Sequence, residues 1–265
     1  MSIQTDDRKG EDRMSEQKRE KTKVIFQEEI ATDIYSMWME ASFAKAAKPG
    51  QFISVYTHDA GKLLPRPISI CEIREDRLHI VYRVAGAGTE EFSTYKAGDE
   101  IAILGPLGNG FPMEDKKAFL IGGGIGVPPM LELAKQLKCE KQIVVGYRDE
   151  LFLNEELAKQ GKLYIATEDG STGTQGNVMD AIRENCLDAE VIYACGPKPM
   201  LRAVKQYAAE HGIRAWISME ERMACGVGAC LGCVCKTKDV DEHSQVHNKR
   251  ICKDGPVFDA EEVEL

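Results

Sequence analysis

Three cysteines fall within nine residues near the C-terminal end of this chain, and their spacing limits what this region can form. The run Cys225-Gly-Val-Gly-Ala-Cys230-Leu-Gly-Cys233 has the C-x4-C-x2-C spacing of a plant-type [2Fe–2S] ligand loop, whose fourth thiolate comes from further along the chain. The interspersed glycines suit such a loop, because glycine accepts positive φ and lets the backbone come close to a cluster. Amides exposed in this way can point at the cluster sulfurs. Cys252 is the expected fourth ligand.

Zinc is the alternative that the cysteines leave open. Cys230 and Cys233, together with His243, His247 or Cys252, would supply four ligands. Zinc ligands usually come as two separated pairs, whereas here three thiols crowd one glycine-rich loop, which favours an iron–sulfur cluster. Both histidines lie in a polar insert and are expected to be solvated.

The other cysteines are expected to be buried structural thiols. The total of nine is odd, and the chain begins with no apolar secretory segment, so the pattern favours a reducing compartment over a set of disulfides. Cys235 lies in a Val-Cys-Lys-Thr run that is typical of a strand. Four more are scattered singly: Cys71, Cys139, Cys186 and Cys195.

Charge and hydropathy exclude several classes of function. The formal net charge of −9 argues against a nucleic-acid surface. No run approaches the roughly 20 apolar residues that a membrane-spanning helix needs. We therefore expect a cytosolic protein. A length of 265 residues suggests two domains with a small addition.

The first domain is predicted to be a small antiparallel barrel. Residues 1–22 carry many charges and hardly any apolar side chains, which indicates a disordered polar tail. Between residues 23 and 110, short strands of mostly alternating or apolar residues follow one another, with a short helix near 90–95. The six predicted strands are residues 23–29, 34–41, 51–57, 68–73, 78–84 and 100–104.

The rhythm of the chain then changes to strands that alternate with helices, which predicts a doubly wound parallel sheet over residues 111–219. The predicted strands are 118–122, 142–147, 163–167, 191–195 and 215–218. The predicted helices are 129–137, 154–159, 177–184 and 198–210. Such sheets bind ligands at the carboxyl ends of their strands. Residues 220–265 then form the cysteine region.

Three loops rich in small residues end strands of this sheet and predict a nucleotide cleft. The first contains Gly122, Gly123, Gly124 and Gly126 and departs from the dinucleotide-binding pattern, because Val127 follows where a third glycine is usual. The others are Thr167-Glu-Asp-Gly-Ser-Thr-Gly173 and Cys195-Gly196-Pro197 followed by Met200. A tight strand–helix turn explains any one of these loops as well, but three on one sheet edge favour a nucleotide.

The barrel carries polar groups suited to a phosphate-containing cofactor. Arg66-Pro67-Ile68-Ser69 begins a strand, and an arginine can pair bidentately with a pyrophosphate. Val81-Tyr82-Arg83 lies on the next strand, and Gly88-Thr89 opens the short helix. Taken alone, an arginine here is more often a solvated surface group.

These motifs occur in the order typical of the ferredoxin-reductase superfamily, and residues 23–257 resemble most closely the electron-transfer subunits of NAD-dependent dihydroorotate dehydrogenases. The resemblance implies an FAD-binding barrel, a Rossmann-like NAD domain and a C-terminal [2Fe–2S] loop. By resemblance, FAD is held by Arg66 to Ser69, Val81 to Arg83, Gly88 and Thr89. NAD is held by the glycine loop and by Cys195, Gly196 and Pro197. The cluster ligands are Cys225, Cys230, Cys233 and Cys252.

The resemblance also implies a partner. In that family an FMN-containing catalytic subunit oxidises dihydroorotate to orotate in pyrimidine biosynthesis, and the two subunits form a heterotetramer with two copies of each. Electrons would pass from that FMN through the cluster to FAD and then to NAD+. This chain carries no acid–base or nucleophilic constellation for substrate dehydrogenation, so we expect no catalytic residues of that kind in it.

One position of the flavin motif departs from the superfamily pattern, and the first cluster ligand separates this interpretation from the alternative subunits. The superfamily usually has an aromatic residue in the third position of the Arg-x-x-Ser motif, where this chain has Ile68. The alternative subunits, NADH-dependent ferredoxin:NADP oxidoreductase and sulfide dehydrogenase, often have Asp in the first ligand position, where this chain has Cys225. Glu168 and Asp169 after a strand favour NAD over NADP, because a carboxylate would repel a 2′-phosphate.

Overall fold

The computed structural model describes residues 17–59, 61–238, 240 and 245–265, and the first part of the chain forms a closed antiparallel barrel. Its strands follow the order β1-β2-β5-β4-β3-β6 in the barrel. Helix α1 (Ala87–Ser93) lies between β5 and β6 in the sequence. Alternate side chains fill the interior, where Met37, Ile53 and Ile80 are completely buried. The strands are β1 (Lys18–Ala31), β2 (Ile34–Glu40), β3 (Phe52–Tyr56), β4 (Arg66–Arg74), β5 (Arg77–Arg83) and β6 (Glu100–Leu107).

The first strand begins at Lys18, so the expectation of a polar tail is wrong for residues 18–22. These residues pair with β6 from Lys18 opposite Gly105 to Lys23 opposite Glu100. These residues are polar because most of their side chains face solvent. Their backbone pairs with β6, whose edge would otherwise be open, and this pairing closes the barrel. Residues 1–16 lie outside the described part of the chain.

The second domain is a seven-stranded sheet in the order β10-β9-β8-β7-β11-β12-β15. All neighbours are parallel except β15, which runs antiparallel to β12 and places Phe258 opposite Ile217. The strands are β7 (Ala118–Gly123), β8 (Lys141–Tyr147), β9 (Lys162–Thr167), β10 (Thr174–Gln175), β11 (Val191–Cys195), β12 (Arg214–Ser218) and β15 (Val257–Asp259). The helices are α2 (Pro128–Gln136), α3 (Asn154–Ala158), α4 (Val178–Glu184) and α5 (Lys198–His211). The predicted doubly wound architecture is confirmed, while the antiparallel edge strand was not anticipated.

Strand β7 separates two cores, because its side chains alternate between the two faces of the sheet. Phe119 and Ile121 share one core with Cys233 and Cys252 of the cysteine region. Leu120 belongs to the opposite core, which also contains Val81 of the barrel. The cysteine region is thus packed into the main body of the protein.

The cysteine region also contacts the junction between barrel and sheet. It contains a small hairpin formed by β13 (Val234–Lys236) and β14 (Asn248–Arg250). The backbone amide of Asn109 donates to Gly255 O at 2.6 Å, and its side chain donates to Asp254 O at 2.9 Å.

Among the residues described, no helix has the length and apolar character needed to cross a membrane.

Candidate functional site

The cysteine run forms an irregular loop between β12 and β13. Gly226 and Gly228 have φ values of +71° and +84°, which side-chain-bearing residues rarely adopt. A Cβ at Gly228 would lie 2.6 Å from Lys253 Cδ, so the turn after β14 packs directly on the loop. Glycine at this position therefore allows both the bend and the close approach of the segment that carries Cys252.

The four cysteines lie as two pairs. The thiols of Cys225 and Cys230 interact with each other, as do those of Cys233 and Cys252. Backbone amides point at every one of these sulfurs. One such donor for each sulfur is Ala229 N to Cys225 Sγ (3.3 Å), Gly232 N to Cys230 Sγ (3.4 Å), Cys252 N to Cys233 Sγ (3.4 Å) and Gly228 N to Cys252 Sγ (3.1 Å).

The two pairs differ in electrostatics. Partial burial opposes ionisation of Cys225, but hydrogen bonds from the amides of Val227, Cys230 and Ala229 outweigh it and lower its pKa to about 6. Burial and the neighbouring Cys233 thiol raise the pKa of Cys252 to about 12. Cys225 is thus ready to supply a thiolate near neutral pH, whereas Cys252 would lose its proton on binding a metal.

This arrangement suits a [2Fe–2S] cluster better than zinc. Such a cluster has two irons, each held by two thiolates, so two pairs of sulfurs are the expected ligand geometry. His247 is exposed, with Nδ1 2.8 Å from Lys238 O. His243 lies outside the described residues.

The loop lies against the barrel beside the Arg66–Ser69 motif. A Cβ at Gly226 would be 2.9 Å from Ser54 Oγ, and Ser54 on β3 is paired with Pro67 on β4. Ser54 is itself almost completely buried. The cysteine loop is therefore separated from the predicted flavin motif by a single strand, a juxtaposition that the sequence did not indicate.

The predicted flavin residues do not all lie on one surface of the barrel. The Arg66 guanidinium lies over Gly88, where any larger side chain would overlap it, and its Nη1 donates to Leu64 O. The Thr89 hydroxyl is engaged within its own turn, since it accepts a hydrogen bond from Ala85 N at 2.9 Å. Arg66 and Gly88 thus form a small cradle, while the Thr89 side chain stabilises the backbone beside it.

Strand alternation divides the remaining flavin residues. Ile68 packs against the barrel core, which places Pro67 and Ser69 on the outer face of β4. Tyr82 also lies inside the barrel, where its hydroxyl donates to Gln27 Oε1 at 2.9 Å. Its neighbours on β5, Val81 and Arg83, face away from the barrel interior: Val81 packs between the domains and Arg83 is exposed.

Two of the three predicted nucleotide loops pack directly on each other. A Cβ at Gly126 would lie 2.6 Å from Gly196 N, and one at Gly123 would lie 2.6 Å from Met200 Sδ. The third loop follows β9, and its Asp169 accepts hydrogen bonds from the amide and hydroxyl of Ser171 at 3.0 and 2.7 Å. Asp169 is therefore occupied within its own loop, whereas Glu168 beside it is exposed.

The other cysteines follow the expectation of buried thiols only in part. Cys71, Cys195 and Cys235 are buried, and burial raises the pKa of the Cys195 thiol far above its usual range. Cys186 is exposed and Cys139 is half-buried, so the expectation is wrong for Cys186 and only partly right for Cys139. Both flank turns between helices and strands, where the surrounding core ends.

Two known protein families match parts of this chain, one over the cysteine region and the other over the predicted NAD domain. A family described as the iron–sulfur cluster binding domain of dihydroorotate dehydrogenase B matches residues 220–264, and one described as an oxidoreductase NAD-binding domain matches residues 120–206.

Whole-chain relatives agree with these matches. The dihydroorotate dehydrogenase B (NAD(+)) electron transfer subunit of Caldanaerobacter subterraneus subsp. tengcongensis is 42% identical, over 92% of this chain and 97% of that protein. Its counterpart from Geobacillus sp. (strain WCH70) is 43% identical, over 94% and 99%. A solved structure of an NADH-dependent reduced ferredoxin–NADP oxidoreductase, reported in a study of flavin-based electron bifurcation, superimposes with a TM-score of 0.83 at 28% identity, covering 92% of this chain and 89% of that one.

Proposed function

The chain belongs to the family of dihydroorotate dehydrogenase B electron transfer subunits, and on that premise we propose that it links a dihydroorotate-oxidising, FMN-containing partner to NAD+ in pyrimidine biosynthesis. The observation that carries the proposal is the contact between the cysteine loop at Gly226 and Ser54, one strand away from the Arg66–Ser69 motif. A one-electron site and a flavin site would then be neighbours within one chain.

The residues present fit the cofactors that the family implies. Cys225, Cys230, Cys233 and Cys252 would hold the [2Fe–2S] cluster, with the four backbone amides stabilising the charge on their sulfurs. When bound, the flavin converts the two-electron hydride chemistry of NAD into the single electrons that an iron–sulfur cluster carries.

The flavin and the dinucleotide would be held by residues of the two larger domains. Arg66, lying over Gly88, would neutralise the flavin pyrophosphate, and Ser69 on the outer face of β4 would reach the ring. The packed loops around Gly126 and Gly196 would hold the NAD pyrophosphate. Exposed Glu168 would accept a hydrogen bond from a ribose hydroxyl.

The partner would dock on the exposed side of the cysteine loop. Cys230 is exposed while Cys233 and Cys252 are buried, so one end of the ligand set faces outward. Val227, Leu231 and Val234 are 38%, 53% and 37% exposed around it, and apolar side chains of this kind are usually covered in an assembly. We assign two copies of each subunit to that assembly, and we assign the assembly to the cytoplasm, where a reducing environment keeps the thiols available.

A second candidate function rests on the likeness to the NADH-dependent ferredoxin–NADP oxidoreductase structure. In that case the cysteine loop would exchange electrons with a different partner. The higher identity to the dihydroorotate family and the presence of Cys225 in the first ligand position favour the main proposal.

Co-expression with a dihydroorotate-oxidising, FMN-containing subunit tests the proposal. We expect a coloured complex with flavin bands and a broad iron–sulfur shoulder, which reduces NAD+ when supplied with dihydroorotate. The chain alone should oxidise NADH with a dye acceptor but should not react with dihydroorotate. A colourless chain that holds one zinc ion would overturn the proposal, and a coloured chain that ignores the dihydroorotate-oxidising subunit would favour the second candidate.

A further inference from the structure

Arg250 connects the turn that carries Cys252 to the middle of the cysteine loop. Its Nη1 donates to Gly228 O at 3.3 Å. Its Nε and Nη2 pair with the two carboxylate oxygens of Asp254 at 3.0 and 3.1 Å, and the two side chains are only 12% and 22% exposed. Because Asp254 holds two guanidinium nitrogens, the third nitrogen, Nη1, points at the cysteine loop in a fixed direction.

The carbonyl that Arg250 binds belongs to the same peptide unit as a ligand-directed amide. The Gly228–Ala229 peptide presents its oxygen to Arg250 and its N–H to Cys225 Sγ at 3.3 Å. Because a trans peptide is planar, its C=O and N–H point in opposite directions, so holding the oxygen also orients the hydrogen. The φ of +84° at Gly228 shows why an anchor matters, since glycine allows other peptide orientations at little cost.

We propose that Arg250 is a positioning residue that raises the reduction potential of the proposed cluster by orienting the Gly228–Ala229 peptide toward Cys225. An N–H···S bond stabilises the more negative, reduced form of a cluster, so its loss lowers the potential. The inference rests on the proposed function, because it needs a cluster on these cysteines. Asp254 is a required companion: it fixes the guanidinium, and its own backbone oxygen accepts from Asn109 Nδ2 at 2.9 Å.

Lys249 offers a matched control on the same strand. It pairs with Glu262, and its side chain makes no hydrogen bond or ion pair with the cysteine loop in the part of the chain described. Lys249→Met therefore removes one positive charge from the same hairpin without releasing the peptide. Arg250→Met combined with Asp254→Asn removes the anchor without leaving a carboxylate unpaired. Arg250→Lys keeps the charge but offers one nitrogen, which cannot pair with Asp254 as a fork and also direct a second donor.

The test is an EPR-monitored redox titration of the full chain in complex with its partner, accompanied by iron analysis. We expect the Arg250→Met/Asp254→Asn variant to keep its iron. Its one-electron equilibrium should shift about tenfold toward the oxidised form, which is about 59 mV. Arg250→Lys should shift in the same direction, and Lys249→Met should match the wild type. The deuterium sensitivity of the Fe–S(Cys) stretches in resonance Raman spectra should also fall in both Arg250 variants.

Three results would overturn the inference: an unchanged potential without Arg250, an equal shift in Lys249→Met, or full recovery in Arg250→Lys. An equal shift in Lys249→Met would indicate a general effect of altering the hairpin, and full recovery in Arg250→Lys would indicate that the positive charge alone acts. If the double variant loses its iron, the reduction potential of Arg250→Lys, measured in the same titration, tests the inference instead. A wild-type complex with no iron–sulfur EPR signal would refute the proposed function itself and the inference with it. A normal wild-type signal with unaffected variants would refute the inference alone.

Discussion

Replacing Gly126 with alanine should impair the NAD site while leaving the rest of the protein intact. The added Cβ would overlap the Cys195 carbonyl and lie 2.6 Å from Gly196 N, whereas ordinary contacts begin at 3.4 Å. The nearest atom, Cys195 O, would lie 2.3 Å from that Cβ, so the two loops would have to separate by about 1.1 Å to reach an ordinary 3.4 Å contact, and both loops present backbone there. Overpacking of this kind costs about 1–3 kcal/mol, and a displacement near 1 Å can reduce a rate by about 10²-fold.

The assay is steady-state reduction of a dye by NADH, with flavin and iron content measured on the same samples. We expect kcat/KM for NADH to fall by about 100-fold in Gly126→Ala, with flavin and iron unchanged. The melting temperature should fall by several degrees, at about 2–4 °C per kcal/mol for a chain of this size.

Gly212→Ala is the matched control. Gly212 ends α5 with a φ of +65° and has open space around its Cβ position. Alanine there costs about 1–2 kcal/mol of backbone strain without moving the nucleotide loops. It should lower the melting temperature while kcat/KM stays near that of the wild type. Normal NADH kinetics in Gly126→Ala, or an equal kinetic loss in the control, would refute the reasoning.

Three further predictions concern the other sites. Cys252→Ser should lose the iron–sulfur absorbance and keep its flavin; a cluster that survives would show that another group is the fourth ligand. Burial by itself would raise the pKa of Glu72, but hydrogen bonds from His79 and Lys135 outweigh it and lower that pKa to about 2 from 4.5. Glu72→Gln should therefore lower the free energy of unfolding in urea at pH 7, and the deficit should shrink as the pH falls below 4.5 toward 2; a deficit that persists undiminished would contradict this ion-pair account. Glu168→Gln should improve turnover with NADPH relative to NADH, and equal preference in the wild type would remove the argument for a ribose contact.

Much of the architecture could be predicted because local patterns were consistent with the tertiary structure. The apolar run at Phe119 and Leu120 indicated a strand, and that strand is the centre of the sheet and is buried on both faces. The polar start of β1 misled the composition argument at residues 18–22, since backbone pairing to β6 closes the barrel without apolar side chains. Strand β15 was missed because three residues carry too short a pattern to reveal a partner far away in sequence.

The cysteine spacing alone favoured an iron–sulfur cluster over zinc, because ligand number and loop length are local properties of the chain. Only the tertiary structure decided which sulfurs pair, that Cys233 and Cys252 are buried while Cys230 faces outward, and that the loop rests on Ser54 beside the predicted flavin motif. It also revealed Arg250, whose hydrogen bond to Gly228 spans 22 residues of sequence. Contacts of this kind depend on how separate elements pack in space, and that information is not carried by the spacing of residues along one loop.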